Sequence, residues 1–262
     1  MIYTHNIDPI LLSIGFIDLY WYGAMYAVSF LLLDYFMKKE IALGNCDFTI
    51  AIIDKILLIS ILSLLIGGRL GYVVFYNLDY YYHNPIKTFY IWEGGMSFHG
   101  ALLGILFGIL FISKKNTINF FKLSDFIVVF VPIGLFLGRI GNFINSELYG
   151  MPTKSDWGIV FTKIDLIPRH PSMLYEALLE GLILFIILKT IYNNKPVTGK
   201  LSALFLIFYS FFRFLVEFVR VPDIQIGYLY ENWLTMGMVL SIPMFIIGLV
   251  IYYLSIQGKI ER

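Results

Sequence analysis

Charge is scarce in this chain. Only 14% of its 262 residues are Asp, Glu, Lys or Arg, against roughly a quarter in an ordinary soluble domain. That shortage excludes a soluble globule of this size, which would need more polar surface. The signs nearly cancel at a formal charge of +1, and basic residues never gather into a stripe, so no nucleic-acid partner is expected. A single cysteine, Cys46, excludes an internal disulfide and a thiolate metal cage. No two histidines stand at the spacing of helical metal ligands, so neither a metal nor a cofactor is expected. Residues 1–17 lack Lys and Arg and contain Asp8 and Pro9, unlike the basic start of a cleaved signal peptide. No short-period repeat or low-complexity tract interrupts the chain, which reads as a single membrane-embedded domain over 1–262.

Apolar residues make up 59% of the sequence, too many for a disordered chain. A polytopic helical membrane protein remains. One crossing takes about 20 residues at about 1.5 Å each. Apolar segments separated by polar breaks predict an all-α fold of seven transmembrane helices, over 18–36, 50–76, 96–113, 125–144, 172–192, 201–220 and 233–255. If Met37–Thr49 is cytoplasmic, its side of the membrane holds nine basic residues: Lys38, Lys39, Lys114, Lys115, Lys122, Lys195, Lys200, Lys259 and Arg262. The other side holds four: Lys87, Lys154, Lys163 and Arg169. Nine against four puts the N-terminus outside and the C-terminus in the cytoplasm. Tyr80, Tyr81, Tyr82, Tyr90, Trp92 and Trp157 then suit the outer interface.

Arginine is the rarer cation, at 6 against 13 lysines. Four of the six, Arg69, Arg139, Arg213 and Arg220, fall within or at the ends of predicted spans, whereas Lys55 and Lys189 sit near cytoplasmic ends where they can snorkel. A charge at depth costs at least a few kcal/mol, so these arginines call for anionic partners. A plain structural role would pair them with the chain's own acids: Asp125, Glu147, Glu176, Glu180 and Glu217 are available. A functional role would use the guanidinium's planar fork, which grips phosphate or carboxylate through two bonds and keeps its proton. Convergence of polar residues favours function. Tyr209, Arg213, Glu217 and Arg220 are spaced 4, 4 and 3 apart and share one helix face. Arg139, Asn142 and Ser146 repeat the pattern, with Asn145 and Glu147 beside them. Arg69, Tyr72 and Tyr76 share another face, and Glu176 and Glu180 stand one turn apart after Arg169-His170-Pro171-Ser172. His99 lies among glycines just beyond the first outer loop; a lone histidine is commonly structural, but this setting makes it a candidate for acid–base work. His170 could equally be a cap. His5 and His83 read as ordinary loop residues.

These residues carry a resemblance. The run from Gly138 to Gly150, GRIGNFINSELYG, resembles the signature of the bacterial phosphatidylglycerol–prolipoprotein diacylglyceryl transferases. Trp21-Tyr22-Gly23, Gly67 to Tyr72, Gly94 to Gly100, Arg169 to Ser172 with Tyr175-Glu176, and Phe212 to Glu217 with Arg220 to Asp223 resemble further blocks of that family in the expected order. The resemblance runs from about Ile14 to Ile247, and the loop between Gly150 and Arg169 is shorter than in some relatives. It implies seven spans in the bacterial cytoplasmic (inner) membrane and transfer of the diacylglyceryl group of phosphatidylglycerol to the lipobox cysteine of a prolipoprotein, leaving a thioether and glycerol-1-phosphate.

The family motifs imply roles as well. Arg139 would hold the lipid head group and Arg213 would act at the leaving phosphate. Asn142, Tyr22 and Glu147 would orient the head group, with Gly150, Tyr209 and Arg220 also on the substrate. Glu176 and Glu217 would orient the arginines, and Arg69 and His170 would support the site. A thiol near pKa 8.5 needs help to ionise at neutral pH; His99 is the favoured base, and an arginine lowering the thiol's pKa is the competing idea. Apart from the resemblance, intramembrane Arg and Glu would also suit a transporter for an anionic solute, although the halves show no repetition of the kind transporters carry.

Overall fold

The computed structural model describes residues 2–15, 17–90, 92, 94–222 and 227–260, without the side chains of Ile17, Phe98 and His99. The side chain of the expected base, His99, therefore lies outside the described residues. The chain divides into two compact units, Phe36–Ser124 on one hand and Met1–Tyr35 with Asp125–Arg262 on the other. Helices α1 (Trp21–Ala42) and α5 (Phe120–Val128) carry the chain from one unit to the other.

The smaller unit is built on α2 (Ile50–Tyr76) and α4 (Phe98–Lys115), joined through the short α3 (Leu78–His83) and a 3₁₀ turn over Pro85–Phe89. Side-chain oxygens start both long helices: Thr49 accepts from the Ile52 amide and Ser97 from the Gly100 amide, each satisfying an orphan donor of the first turn. The two helices touch backbone to backbone. A Cβ on Gly71 would come within 2.8 Å of Gly100 Cα, and one on Gly104 within 3.2 Å of Gly67 Cα. Small residues four apart allow this approach where apolar burial gives little drive, as in lipid. Gly104→Ala is therefore expected to lower the thermal midpoint of the detergent-solubilised protein. Gly23→Ala, with open space at its Cβ, should leave it unchanged or raise it slightly through helix propensity.

In the larger unit the predicted fourth span is not one straight helix. α5 and α6 (Val131–Asn145) meet at a bend of 44°. Pro132 near the start of α6 has no N–H to continue the hydrogen-bond ladder from α5, so the chain kinks there. The predicted fifth span is a continuous rod of three parts: α7 (Ser172–Glu176), a π-helical stretch over Ala177–Ile183, and α8 (Leu184–Asn193). Glu176, Glu180, Leu184 and Leu188, spaced four apart, are all fully buried. An α-helix turns such a row by about 40° at each step; the wider π turn winds the other way and keeps the row aligned. α9 (Lys200–Glu217) starts beside the Asp125 carboxylate, which accepts from the amides of Gly199 and Ser202 and from the Ser202 hydroxyl at 2.6–2.7 Å. Asp125 thus caps a helix rather than pairing with an arginine. α10 (Met236–Ile256) packs along α9.

The all-α expectation needs an amendment. β1 (Tyr3–His5) pairs in parallel with β4 (Ile159–Phe161), and β4 antiparallel with β5 (Pro168–Arg169). Two hairpins add β2 (Ile10–Ile14) with β3 (Ile17–Tyr20), and β6 (Tyr228–Tyr230) with β7 (Leu234–Thr235). These segments come from the N-terminus and the loops, whose backbone groups need partners once no helix supplies them. Ile159, Phe161 and Met173 form a small core beneath, flanked by Phe143, Tyr149 and Leu174.

His5 belongs to that core and is no ordinary loop residue. It is fully buried, lies edge-on to Phe143, and its Nδ1 is 3.2 Å from the Ser146 hydroxyl. Burial, together with the nearby Lys163, holds its pKa below the usual 6.5. A base whose pKa falls on folding is neutral in both states above 6.5. Below that value the unfolded chain binds the proton first, so stability is lost as pH falls. The protection factors of the β1 and β4 amides, exchange rates corrected for their intrinsic pH dependence, are expected to fall below pH 6.5, and His5→Gln should flatten that dependence.

α2 and α10 are long and apolar enough to cross a membrane, and the bent α5–α6 pair makes up to three such spans among the described residues. Large apolar side chains such as Leu31, Phe75, Phe107 and Tyr253 point outward and exposed. A soluble surface rarely carries apolar exposure on this scale.

Candidate functional site

Three helical segments of the larger unit bring Arg139, Arg213 and Arg220 together. On α9, Arg213 bonds Glu217 one turn on, and Arg220 Nη1 lies 3.1 Å from the same Glu217 oxygen, Oε1. The predicted stripe makes contacts from Arg213 to Arg220, although Arg220 stands just past the end of α9 rather than on it. From α7, Glu176 enters fully buried and takes Arg139 together with a second nitrogen of Arg213. Arg213 Nη1 donates to its Oε1 at 2.5 Å, while Arg139 Nε on α6 lies 2.6 Å from its Oε2. One carboxylate thus holds Arg139 and Arg213 side by side. α6 comes close enough because Gly181 sits against it: a Cβ there would fall 2.6 Å from Phe136 Cβ. Glu217 is fixed from the far side by the Thr235 hydroxyl at the start of α10. Tyr209, one turn before Arg213, faces Glu180, Arg139 and Arg213.

Around this cluster, Asn142 Nδ2 and Asn145 Nδ2 donate to the two Glu147 oxygens at 3.1 and 3.2 Å. Tyr22 faces Glu147 and Arg139, and its hydroxyl is 3.2 Å from that of Tyr26. Gly150 is held between two backbones: its amide donates to the His170 carbonyl at 2.8 Å, and a Cβ would fall 2.6 Å from the Val219 oxygen. His170 Nδ1 is 3.2 Å from the Tyr175 hydroxyl, which also accepts from Trp157 Nε1. These three residues, with Leu179, Leu215, Val216 and Val219, line an apolar cavity of about 430 Å³. Outside the cluster, Arg169 grips Asp165 through Nε and Nη2 and by those hydrogen bonds keeps its carboxyl below the usual range.

Arg69 departs from the expectation that every deep arginine meets an acid. It is buried in the smaller unit, where its guanidinium donates to the carbonyls of Thr88 (2.8 Å), Lys87 (2.6 Å), Gly94 and Gly95, with the Tyr81 ring 5.1 Å away. It fastens the loop after α3 through backbone oxygens. Thr235 has no expected part in the site, since the predicted span 233–255 places it inside a helix. It caps α10, and it reaches Glu217 as well.

Apolar outward faces and a buried guanidinium–carboxylate cluster define a helical membrane protein with its polar chemistry gathered at one place. The family model for prolipoprotein diacylglyceryl transferase matches residues 9–254, and the chain belongs to that family. It is 46% identical over 244 residues to the phosphatidylglycerol–prolipoprotein diacylglyceryl transferase of Nitratidesulfovibrio vulgaris strain DP4, covering 93% of each chain. The enzyme of that name from Methylococcus capsulatus is 44% identical over 94% of each chain. The one from Bordetella parapertussis is 46% identical over 96% of this chain and 97% of its own.

Proposed function

We propose that this protein transfers the diacylglyceryl group of phosphatidylglycerol to the lipobox cysteine of prolipoproteins, as a seven-pass protein of the bacterial cytoplasmic membrane with its N-terminus outside. The family and the names of the relatives support the reaction. The observation that carries the mechanism is the seating of Arg139 and Arg213 on the two oxygens of Glu176. In the reaction a cysteine thiolate attacks the glyceryl carbon that bears the phosphate. A C–S bond forms, the C–O bond breaks, and glycerol-1-phosphate leaves with the electron pair. Charge grows on the departing oxygen, and two fixed guanidiniums in a site of low dielectric stabilise it as it develops. Arg139 holds the head group and Arg213 serves the leaving phosphate. Asn142, Glu147 and Tyr22 orient the head group, and Gly150, Tyr209 and Arg220 complete the substrate side. Glu176 and Glu217 hold the arginines, while Arg69 and His170 brace the loops. His99 takes the thiol proton. The two compact units are parts of one membrane-embedded transferase domain over 1–262.

Incubating purified protein with labelled phosphatidylglycerol and a lipobox peptide tests this reading. A thioether-linked lipopeptide with release of glycerol-1-phosphate is expected; flux of an anionic solute without product would instead favour a transporter. In the same assay His99→Gln should lose an ionisation near neutrality from the pH profile of turnover, and an unshifted profile would remove His99 as the base.

A further inference from the structure

Glu180 is left over once the arginines are paired. Its side chain is fully buried in the π-helical stretch, and neither carboxyl oxygen has a hydrogen-bond partner. Its ion pair is with Arg139 Nη2 at 3.6 Å, beyond hydrogen-bond reach. The other two acids are held far better. Glu176 touches Arg139 and Arg213 closely and lies 3.9 Å from Arg220; Glu217 holds Arg213, Arg220 and the Thr235 hydroxyl. The charged and titratable groups facing Glu180 are Glu176 on its own rod, Arg139 on α6, and Arg213 and Tyr209 on α9.

Among the described residues, the ion pairs of the cluster set three arginines, Arg139, Arg213 and Arg220, against three acids, Glu176, Glu180 and Glu217. A phosphodiester brings one further negative charge into a site that water does not screen. A buried carboxylate that loses its share of a cation, and has no hydrogen bond to hold its charge, is the one to neutralise. Resting on the proposed seating of the head group at Arg139 and Arg213, we infer that Glu180 takes up a proton from solvent as the lipid binds, freeing Arg139 to turn its charge to the phosphate. Glu180 is then a positioning residue that sets the charge of the site, acting through Arg139.

Calorimetry of phosphatidylglycerol binding in two buffers of different ionisation heat, at pH 8, counts the protons. Wild-type protein is expected to take up about one per lipid, and its affinity to fall about tenfold per pH unit on the alkaline side. Glu180→Gln, the shape of the neutral acid, should bind lipid with no uptake and with little dependence on pH. Uptake by the Gln variant equal to wild type, or none by wild type, would overturn the inference. Should the Gln variant not fold, difference infrared spectra on lipid addition give the answer. A protonated-carboxyl band that shifts in Glu180→Asp supports Glu180, and its absence refutes it. Arg139→Lys and Arg213→Lys separate the two readings. Normal lipid binding in both defeats the seating of the head group, whereas arginine-dependent binding without proton uptake defeats only the part given to Glu180.

Discussion

Arg213→Lys is expected to lower lipid transfer by about 100-fold or more while the protein still inserts and extracts normally, and Arg139→Lys should do the same. Lysine keeps the charge but not the fork. Each guanidinium has one nitrogen committed to Glu176, and Arg213 commits another to Glu217; only a group with five donors in a plane can stay anchored and still present an N–H to phosphate. Losing a single donor to a developing oxyanion costs about 10²–10³ in rate. Initial rates with saturating lipopeptide acceptor provide the check. Unchanged turnover in both variants would remove the two-arginine mechanism.

Glu176→Ala is expected to have the largest effect on stability. The side chain has no exposure and joins Arg139, Arg213 and, more distantly, Arg220. Its removal leaves two guanidiniums facing each other across a cavity with no anion between them. Breaking a buried pair in this way costs about 3–5 kcal/mol, enough to reduce membrane yield and lower the thermal midpoint in detergent. Glu176→Gln fills the space but not the charge and should fall between. Added phosphatidylglycerol should recover part of the loss in both variants by supplying a phosphate where the carboxylate stood. A thermal series with phosphatidylglycerol and with phosphatidylcholine, which has no net negative charge, measures this. Full stability of Glu176→Ala without lipid would show that Glu176 does not hold the arginines.

Much of this site is legible in the sequence because it follows helical spacing. The 4, 4, 3 interval from Tyr209 to Arg220 places an ion-pair line on α9, and Arg139 through Glu147 put amide and carboxylate groups at the end of α6 within reach of each other. What spacing cannot convey is the choice among acceptors distant in the chain. Arg69 reaches carbonyls 18 to 26 residues away. Asp125 reaches the start of α9, more than 70 residues on. His5 meets Ser146 across 141 positions. The short strands escape notice for the same reason: β1 is three residues long and its partner β4 lies far along the chain. Pro132 stands at the break between α5 and α6, but a proline in the first turn of a helix is equally at home without a kink, so the sequence reads as one span there.

The wide turns after Glu176 act as a spacer of fixed length. If Ala177–Ile183 tightened into an ordinary helix with every residue kept, everything beyond would swing by about 100°, because the wide turn takes up about one extra residue. Leu184 and Leu188 would then leave the inward side, and Glu180 would leave Arg139. Side chains facing outward here, such as Leu178 and Leu182, are free to vary, whereas the width of the turn is not. A change that narrows the turn should disable the protein more surely than exchanging either of those leucines.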